Sequence, residues 1–249
     1  MERFQQHRMA LEVLDMGIRK KAAIVGTYIL VILCFIIVTY GASIATTTVA
    51  QLIPMEREAT IVIDAGHGGI DGGAISVSGL PESQYNLEIS LKLEDLLHLL
   101  GFQSKMIRRT DISVYTSGQT IAAKKVSDLR QRVRMVNGTE NAILLSIHQN
   151  TFSDSQYRGA QIFYGPKGES RELAQLLQEG FRQTLNPDSQ RNIKKADGVY
   201  LMQHIESTGV LVECGFLSNP QEETLLRSPD YQRKICCVLA TVTARFLTK

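Results

Sequence analysis

The chain has 249 residues, of which 44% are hydrophobic, 21% charged and 6% aromatic, and this composition excludes collagen, disulfide-rich miniproteins and wholly disordered chains. The length predicts one or two domains. Of the 27 basic and 25 acidic residues, five bases and three acids lie in residues 1–21, which leaves 22 of each elsewhere. Because equal numbers of basic and acidic residues offer no excess of positive charge for binding nucleic acid, we expect no nucleic-acid partner.

The first predicted element is a membrane segment. No charged residue occurs in residues 22–55, and residues 22–40 are almost continuously apolar. Nineteen helical residues span about 28 Å, close to the ~30 Å of a hydrocarbon core. The basic run Arg19, Lys20 and Lys21 directly precedes them, so the positive-inside rule predicts that residues 1–21 are a cytoplasmic tail and that the remainder is exported.

Residues 22–44 are interpreted as a single-pass membrane anchor, with a cleaved signal segment as the alternative. Small residues at 43–45 and 48–50 resemble cleavage sites, but the apolar run exceeds the ~7–15 residues of a usual signal core. We therefore expect an uncleaved anchor. Residues 45–59 then form a linker, and residues 60–249 form the extracytoplasmic domain.

Five short apolar runs in that domain predict strands. They lie at residues 60–65, 102–107, 142–147, 160–164 and 209–212. Their near-continuous hydrophobicity is typical of a parallel sheet that is covered on both faces. Because helical patterns lie between the runs, the sequence predicts a single α/β domain with flanking helices.

Two of the helices have clear signals. In the first, one apolar stripe repeats at helical spacing and Gly101 ends the helix. Its members are Ile89, Leu93, Leu96, Leu97 and Leu100. The last helix is predicted to begin at residues 228–230, where a capping serine precedes a proline and an acid, and to run to residue 247.

Polar side chains follow three of the predicted strands. His67 lies just beyond the first, His148 follows the third and Glu213 follows the fifth. Ligands bind at the carboxyl ends of strands in open α/β sheets, so we expect these residues to meet there. Separations of 81 and 65 residues exclude a short helical metal motif, and the fold must assemble the site.

Each of these residues also has a purely structural interpretation. A single histidine at a strand end can be a hydrogen-bonded structural residue, and Glu213 can be a buried carboxylate paired with Arg132. Glu82 can simply complement the dipole at a helix start. However, Glu82 lies seven residues before Ile89, on the core-facing stripe, where a charge is costly unless a cation meets it.

Together these residues suit metal-assisted hydrolysis. His67, Glu82 and His148 form a His₂Glu set, which is typical of catalytic zinc, and Glu213 is the candidate general base. Gly66, the first of several glycines around His67, leaves the backbone free to turn closely. A nucleotide-binding loop is the weaker alternative, because Asp71 occupies the third glycine position of that motif and no Walker lysine is present.

Several ordered motifs are similar to those of a known family. They are IVIDAGHGGIDGGA (61–74), GLPESQYNL (79–87), DLRQRVRMVN (128–137), LLSIHQN (144–150), RGAQIFYG (158–165) and GVLVECGFLSNP (209–220). The chain resembles the zinc-dependent N-acetylmuramoyl-L-alanine amidases of bacterial cell walls. The resemblance implies a twisted, mostly parallel sheet, peptidoglycan as substrate, and zinc ligands at His67, Glu82 and His148.

The resemblance further implies Glu213 as the catalytic glutamate, and we assign Asn150, at the end of the His148 segment, to substrate binding. Three positions depart from the common pattern, namely Gly72, Ser83 and Gln149, which leaves the fit of the substrate open.

More narrowly, the chain resembles the spore-cortex amidases of the CwlD type. This implies removal of the peptide from muramic acid on the way to muramic-δ-lactam, by a catalytic domain that lies between the membranes of a forespore. The sequence leaves open whether a protein partner activates the enzyme. Two other functions also stay open, a non-catalytic peptidoglycan-binding domain and a zinc peptidase or deacetylase acting on the same polymer.

Overall fold

The computed structural model describes residue 27, residues 29–39 and residues 58–249, and the chain divides into two compact units, 1–54 and 55–249. In the first unit, residue 27 and residues 29–39 are helical. None of the helices among the described residues combines the length and apolarity that a membrane crossing requires. About half of the predicted anchor, most of the predicted linker and all of residues 1–21 lie outside the described residues, so these assignments stay predictions.

The second unit contains six strands and six helices among its described residues. The strands are β1 Thr60–Ala65, β2 Gln103–Met106, β3 Ala142–Asn150, β4 Gln161–Tyr164, β5 Lys194–Lys195 and β6 Thr208–Phe216. The helices are α1 Glu82–Leu99, α2 Ile121–Asn137, α3 Ser170–Thr184, α4 Tyr200–His204, α5 Pro220–Arg227 and α6 Pro229–Leu247.

The strands form one mixed sheet in the order β2-β1-β3-β6-β4-β5. Neighbouring strands are parallel except β4 and β6, which are antiparallel. The exception has a local cause. Two strands that run parallel in one sheet need a crossover connection of a dozen or more residues, usually a helix. Residues 151–160, which connect β3 to β4, contain no helix. The predicted α/β domain with a mostly parallel sheet is therefore confirmed.

Helices cover both faces of the sheet. On one face α1 and α3 pack against the strands, and α6 packs on both helices. The predicted stripe faces this core, since Ile89, Leu93 and Leu97 are fully buried. On the other face α2 and α4 close a second apolar cluster that includes Leu144 and Leu211. Burial on both faces explains why the strands read as continuous apolar runs.

The predicted boundaries differ from the structure at the strands that carry the polar residues. β3 continues through His148 to Asn150, and β6 continues through Glu213 to Phe216. These side chains lie within the last part of each strand rather than after it. The short strand β5 was not predicted from its two lysines, which nevertheless remain exposed at the sheet edge.

Candidate functional site

His67 lies in the loop that leaves β1, with a left-handed backbone conformation (φ 60°) that is unfavourable for a residue with a side chain. The loop is held by hydrogen bonds on both sides of this residue. Arg132 Nη2 donates to the His67 carbonyl at 2.7 Å, and the Gly68 amide donates to the Asp71 carbonyl at 2.7 Å. The surrounding structure therefore imposes the strained conformation that aims the imidazole.

Glu82 is the first residue of α1 and is 4% exposed. The first-turn amides of this helix have no partner within it, and the preceding loop supplies them. The Glu82 amide donates to Ala74 O at 2.8 Å, and the Ser83 amide donates to Gly72 O at 3.0 Å. The helix start and the glycine-rich loop after His67 are thereby held together.

The two imidazoles converge on the Glu82 carboxylate. His67 Nε2 lies 3.2 Å from Glu82 Oε2, and His148 Nδ1 lies 2.9 Å from Glu82 Oε1. One donor atom from each of the three side chains lies within 4.8 Å of the other two. Two imidazole nitrogens and a carboxylate oxygen match the donor set of catalytic zinc, so these residues can hold a metal ion.

Two glycines are required by this close packing. A Cβ atom on Gly66 would lie 2.2 Å from the His148 ring, and one on Gly73 would lie 2.6 Å from Glu82 Oε2. Gly73 also has a left-handed backbone (φ 72°). Gly66 thus makes room for His148, in addition to the role near His67 that the sequence predicted.

Residues behind the donors orient them. Asp71 Oδ2 lies 3.1 Å from His67 Nδ1, and Lys125 Nζ contacts the other Asp71 oxygen at 2.8 Å. Asn86, one helical turn after Glu82, donates to Glu82 Oε1 at 3.1 Å. A carboxylate on the outer nitrogen of a ligating histidine fixes its tautomer and orientation.

Gln149, which departs from the family pattern, is buried behind the donors. Its backbone amide donates a hydrogen bond to Glu82 Oε1 at 3.2 Å, and its side-chain Nε2 donates to Asn86 Oδ1 at 3.3 Å. The residue is buried, with 3% relative exposure. Gln149 thus contacts Glu82 and its support Asn86, and its bearing on substrate fit stays a prediction.

The charges at the three donors depend on one another. Burial raises the pKa of Glu82, but hydrogen bonds and charges from His148 and His67 outweigh it and hold the pKa well below its usual value. Burial lowers the pKa of His67, but Glu82 and Asp71 together raise it to about 9. Without a metal, protonated His67 compensates the negative charge of Glu82. A bound metal cation can compensate that charge in place of the proton.

Glu213 pairs with His148 in the parallel register of β3 and β6, so the two residues lie side by side at the end of the sheet. Burial raises the pKa of Glu213 to about 7, with an additional contribution from the Glu82 charge and partial compensation by the histidines. Its Oε2 atom is buried and has no hydrogen-bond partner among the described residues. A carboxyl group in this state is suited to accept and return a proton near neutral pH.

The alternative pairing of Glu213 with Arg132 is wrong. Arg132 is 2% exposed, its Nη1 contacts Asp64, and its Nε donates to Asp128 Oδ2 at 2.6 Å. Ser146 Oγ donates to the second Asp64 oxygen at 2.7 Å. These contacts satisfy the arginine, and among the described residues Glu213 has no ion pair with a lysine or arginine.

A second buried arginine supports the same loop. Arg108 is 2% exposed and donates to Ala65 O at 2.8 Å, Gly66 O at 3.0 Å and Ser83 O at 2.9 Å. It therefore joins the residues just before His67 to the residue just after Glu82. Arg132 likewise donates to backbone carbonyls of this loop, those of Ala65 and His67, in addition to its two carboxylate partners. Neither arginine was predicted in this role.

A cleft of about 210 Å³ opens beside His67 and His148. Glu82 lies behind the two histidines, and the lining of the cleft includes neither Glu213 nor Asn150. A register shift between His148 and Asn150 puts Asn150 opposite Phe216, and its carbonyl accepts from the Leu217 amide at 2.8 Å. The substrate contact assigned to Asn150 stays a prediction.

Comparison with known proteins identifies the family. The Amidase_3 family model, described as N-acetylmuramoyl-L-alanine amidase, matches residues 61–241. The chain belongs to this amidase family. A germination-specific N-acetylmuramoyl-L-alanine amidase of Bacillus subtilis is 37% identical to this chain over 191 residues, which cover 76% of this chain and 80% of that protein.

Solved structures agree with this assignment. The CwlD amidase of Clostridioides difficile, determined in complex with the GerS lipoprotein, matches with a TM-score of 0.73 and 35% identity over 76% of this chain and 98% of that one. An N-acetylmuramoyl-L-alanine amidase of Clostridium difficile 630 matches with a TM-score of 0.67 and 27% identity over 77% and 98% of the two chains. The described sheet and its flanking helices are therefore the amidase fold.

The sequence predicted the three side chains that the structure brings together, and Glu213 beside His148, but not the residues that support them. The separation of Asn86 from Glu82 by one helical turn was a usable signal, because residues four apart share a helix face. Asp71 follows His67 by four residues in a loop, where spacing carries no such information. Arg108 is exceptional because nothing in its local sequence distinguishes a buried arginine from an exposed one.

Replacing Asp71 with asparagine is expected to weaken zinc binding. Asp71→Asn removes the carboxylate that contacts His67 Nδ1, and loss of such a partner lowers metal affinity by about 10–100-fold. Competition with a zinc-chelating dye measures the effect. Lys125→Gln is the control, because it removes only the outer contact of Asp71, and equal losses in both variants would contradict the orienting role.

Proposed function

We propose that this amidase hydrolyses the amide between the lactyl group of N-acetylmuramic acid and L-alanine in peptidoglycan, with zinc bound by His67, Glu82 and His148. The observation that supports it most directly is the convergence of these three donors within 4.8 Å, next to the carboxyl group of Glu213. Family membership supports the choice of bond.

The reaction needs a nucleophile, a proton acceptor and a proton donor. Zinc, when bound, supplies Lewis-acid chemistry that polarises the amide carbonyl and lowers the pKa of water. Glu213 takes a proton from the attacking water as the new carbon–oxygen bond forms. It then returns that proton to the alanine nitrogen as the carbon–nitrogen bond breaks, which leaves a free lactyl carboxylate and a free peptide amine.

The biological setting that we propose is maturation of the spore cortex, with removal of peptide on the way to muramic-δ-lactam. It is supported by the similarity to the germination-specific amidase and to the CwlD amidase. The latter was solved with a lipoprotein, so we propose an extracytoplasmic protein partner for this amidase as well. Residues 22–44 are proposed to tether it to the cell membrane, on the basis of their apolar sequence and the preceding basic run.

Product analysis tests the proposed activity. The purified protein, with its zinc content measured, is incubated with peptidoglycan, and the products are identified by mass spectrometry. We expect glycan strands with free lactyl groups and peptides that begin with alanine, and we expect chelation to stop their release. Cleavage inside the peptide would indicate a peptidase, loss of acetate would indicate a deacetylase, and binding without products would indicate a non-catalytic domain.

A further inference from the structure

The cleft beside the two histidines has an apolar wall and a basic rim. Its wall includes Leu201 and Leu211, and its rim includes Lys124 and Lys125 at the start of α2. At about 210 Å³ it is smaller than the ~300–1,000 Å³ of a complete ligand site, so it receives only part of a substrate. Because His67 and His148 also line it, that part lies next to the scissile bond.

Most charges in this lining are already paired. Lys125 contacts Asp71 at 2.8 Å, and Arg132 contacts both Asp64 and Asp128. These pairs use the carboxylates of the cleft to hold the loop around His67. Their charges are compensated and are not available to a bound ligand.

Lys124 differs from these residues. Among the described residues of the chain it has no carboxylate within ion-pair distance, and it is half-buried. Its Nζ lies 5.1 Å from the centre of the Tyr115 ring, a cation–π contact that restricts the side chain. A partly desolvated, restrained and uncompensated ammonium group favours an anionic ligand.

The proposed substrate is charged on only one side of the scissile amide. The sugars and the lactyl amide are neutral, whereas the first free carboxylate of the peptide belongs to the acidic residue that follows alanine. A neutral glycan gains nothing from Lys124, but a peptide with that carboxylate does. The apolar wall suits the short aliphatic part of the same peptide.

We propose that this cleft binds the peptide side of the substrate, and that Lys124 pairs with the free carboxylate of the acidic residue following alanine. This inference rests on the proposed function and names its specificity. It makes the amidase selective for peptides in which that carboxylate is free over those in which it is amidated.

Two glycan–tripeptide substrates, identical except for D-isoglutamate or D-isoglutamine at the second position, test the proposal. With the purified full-length protein, kcat/KM for release of the peptide is expected to be about tenfold higher for the free carboxylate, between the values for exposed and charge-assisted buried pairs. Lys124→Gln should reduce the ratio of the two values to about one. Lys124→Arg should retain a preference, because it keeps the charge.

Lys194→Gln and Lys195→Gln are matched controls, since these lysines form an exposed pair on β5, outside the cleft lining. We expect both to keep the wild-type ratio. Equal turnover of the two substrates by the wild type, or an unchanged ratio in Lys124→Gln, would overturn the carboxylate subsite alone. Failure of the zinc-loaded protein to cleave the lactyl amide in either substrate would overturn the subsite and the proposed function together.

Discussion

Glu213→Gln is expected to lower kcat for lactyl-amide hydrolysis by about 10²–10⁴-fold, the usual contribution of a positioned general acid–base group. The substitution preserves the size of a side chain that is partly buried beside His148 but removes its ability to accept a proton. Release of alanine-terminated peptide, followed by mass spectrometry under single-turnover conditions, measures the loss.

The same variant should keep its zinc, because Glu213 is not one of the three converging donors. Its unfolding free energy should be unchanged or higher, since a buried carboxyl oxygen without a partner is replaced by a neutral amide. Glu206→Gln is the control, as Glu206 is exposed just before β6. A Glu213→Gln variant with wild-type turnover would refute the assigned role.

Arg132→Met is expected to destabilise the fold by about 3–5 kcal/mol, because it leaves Asp64 as an uncompensated charge in the interior. Asp64 is 1% exposed and depends on Arg132 and Ser146 for its contacts. Urea unfolding followed by circular dichroism measures the change. Arg130→Met is the matched control, because Arg130 is exposed on the same helix and such changes usually stay within about 0.5 kcal/mol.

The double variant Asp64→Asn/Arg132→Met separates charge from packing. If the unpaired charge causes the loss, removing it should recover a large part of the stability of the single variant. Equal stability of the single and double variants would show that Arg132 acts through its other contacts. Its hydrogen bonds to the carbonyls of Ala65 and His67 are the contacts that both variants lose.

The Asp64 pair also gives the wild type a pH dependence of defined sign. Burial raises the pKa of Asp64, but the charges of Arg132 and His148 and the hydrogen bonds outweigh it, so the pKa is lowered from its ordinary value of 3.8. The pair therefore stabilises the protein fully above that value, and the stabilisation is lost as the pH falls through the lower folded-state pKa. Asp64→Asn should remove this part of the acid sensitivity.

The sequence predicted most of the architecture because periodicity reports burial directly. β1 was located at Thr60–Ala65 because both faces of that strand are covered. β5 was missed because two exposed lysines carry no hydrophobic pattern, and their pairing with β4 depends on tertiary structure. The antiparallel direction of β4 was not predicted either, since a strand has the same pattern in both directions.

The site divides in the same way. His67, His148 and Glu213 could be predicted because polar residues at the ends of apolar strands violate the local pattern. Glu82 could be predicted because it is a charged residue on the otherwise apolar, core-facing side of its helix. In contrast, Arg108 and Asp71 act through contacts with loops whose shape no sequence pattern specifies, and only the three-dimensional arrangement reveals them.

The position of β6 in the sheet has a consequence for biosynthesis. This strand is the last in the chain, yet it lies between β3 and β4. A nascent chain that has passed residue 148 already contains every metal donor, but the centre of its sheet is still open and unpaired edges invite aggregation. Because Glu213 arrives with the strand that closes this gap, an incompletely synthesised chain that already contains the three candidate metal donors still lacks the candidate general base.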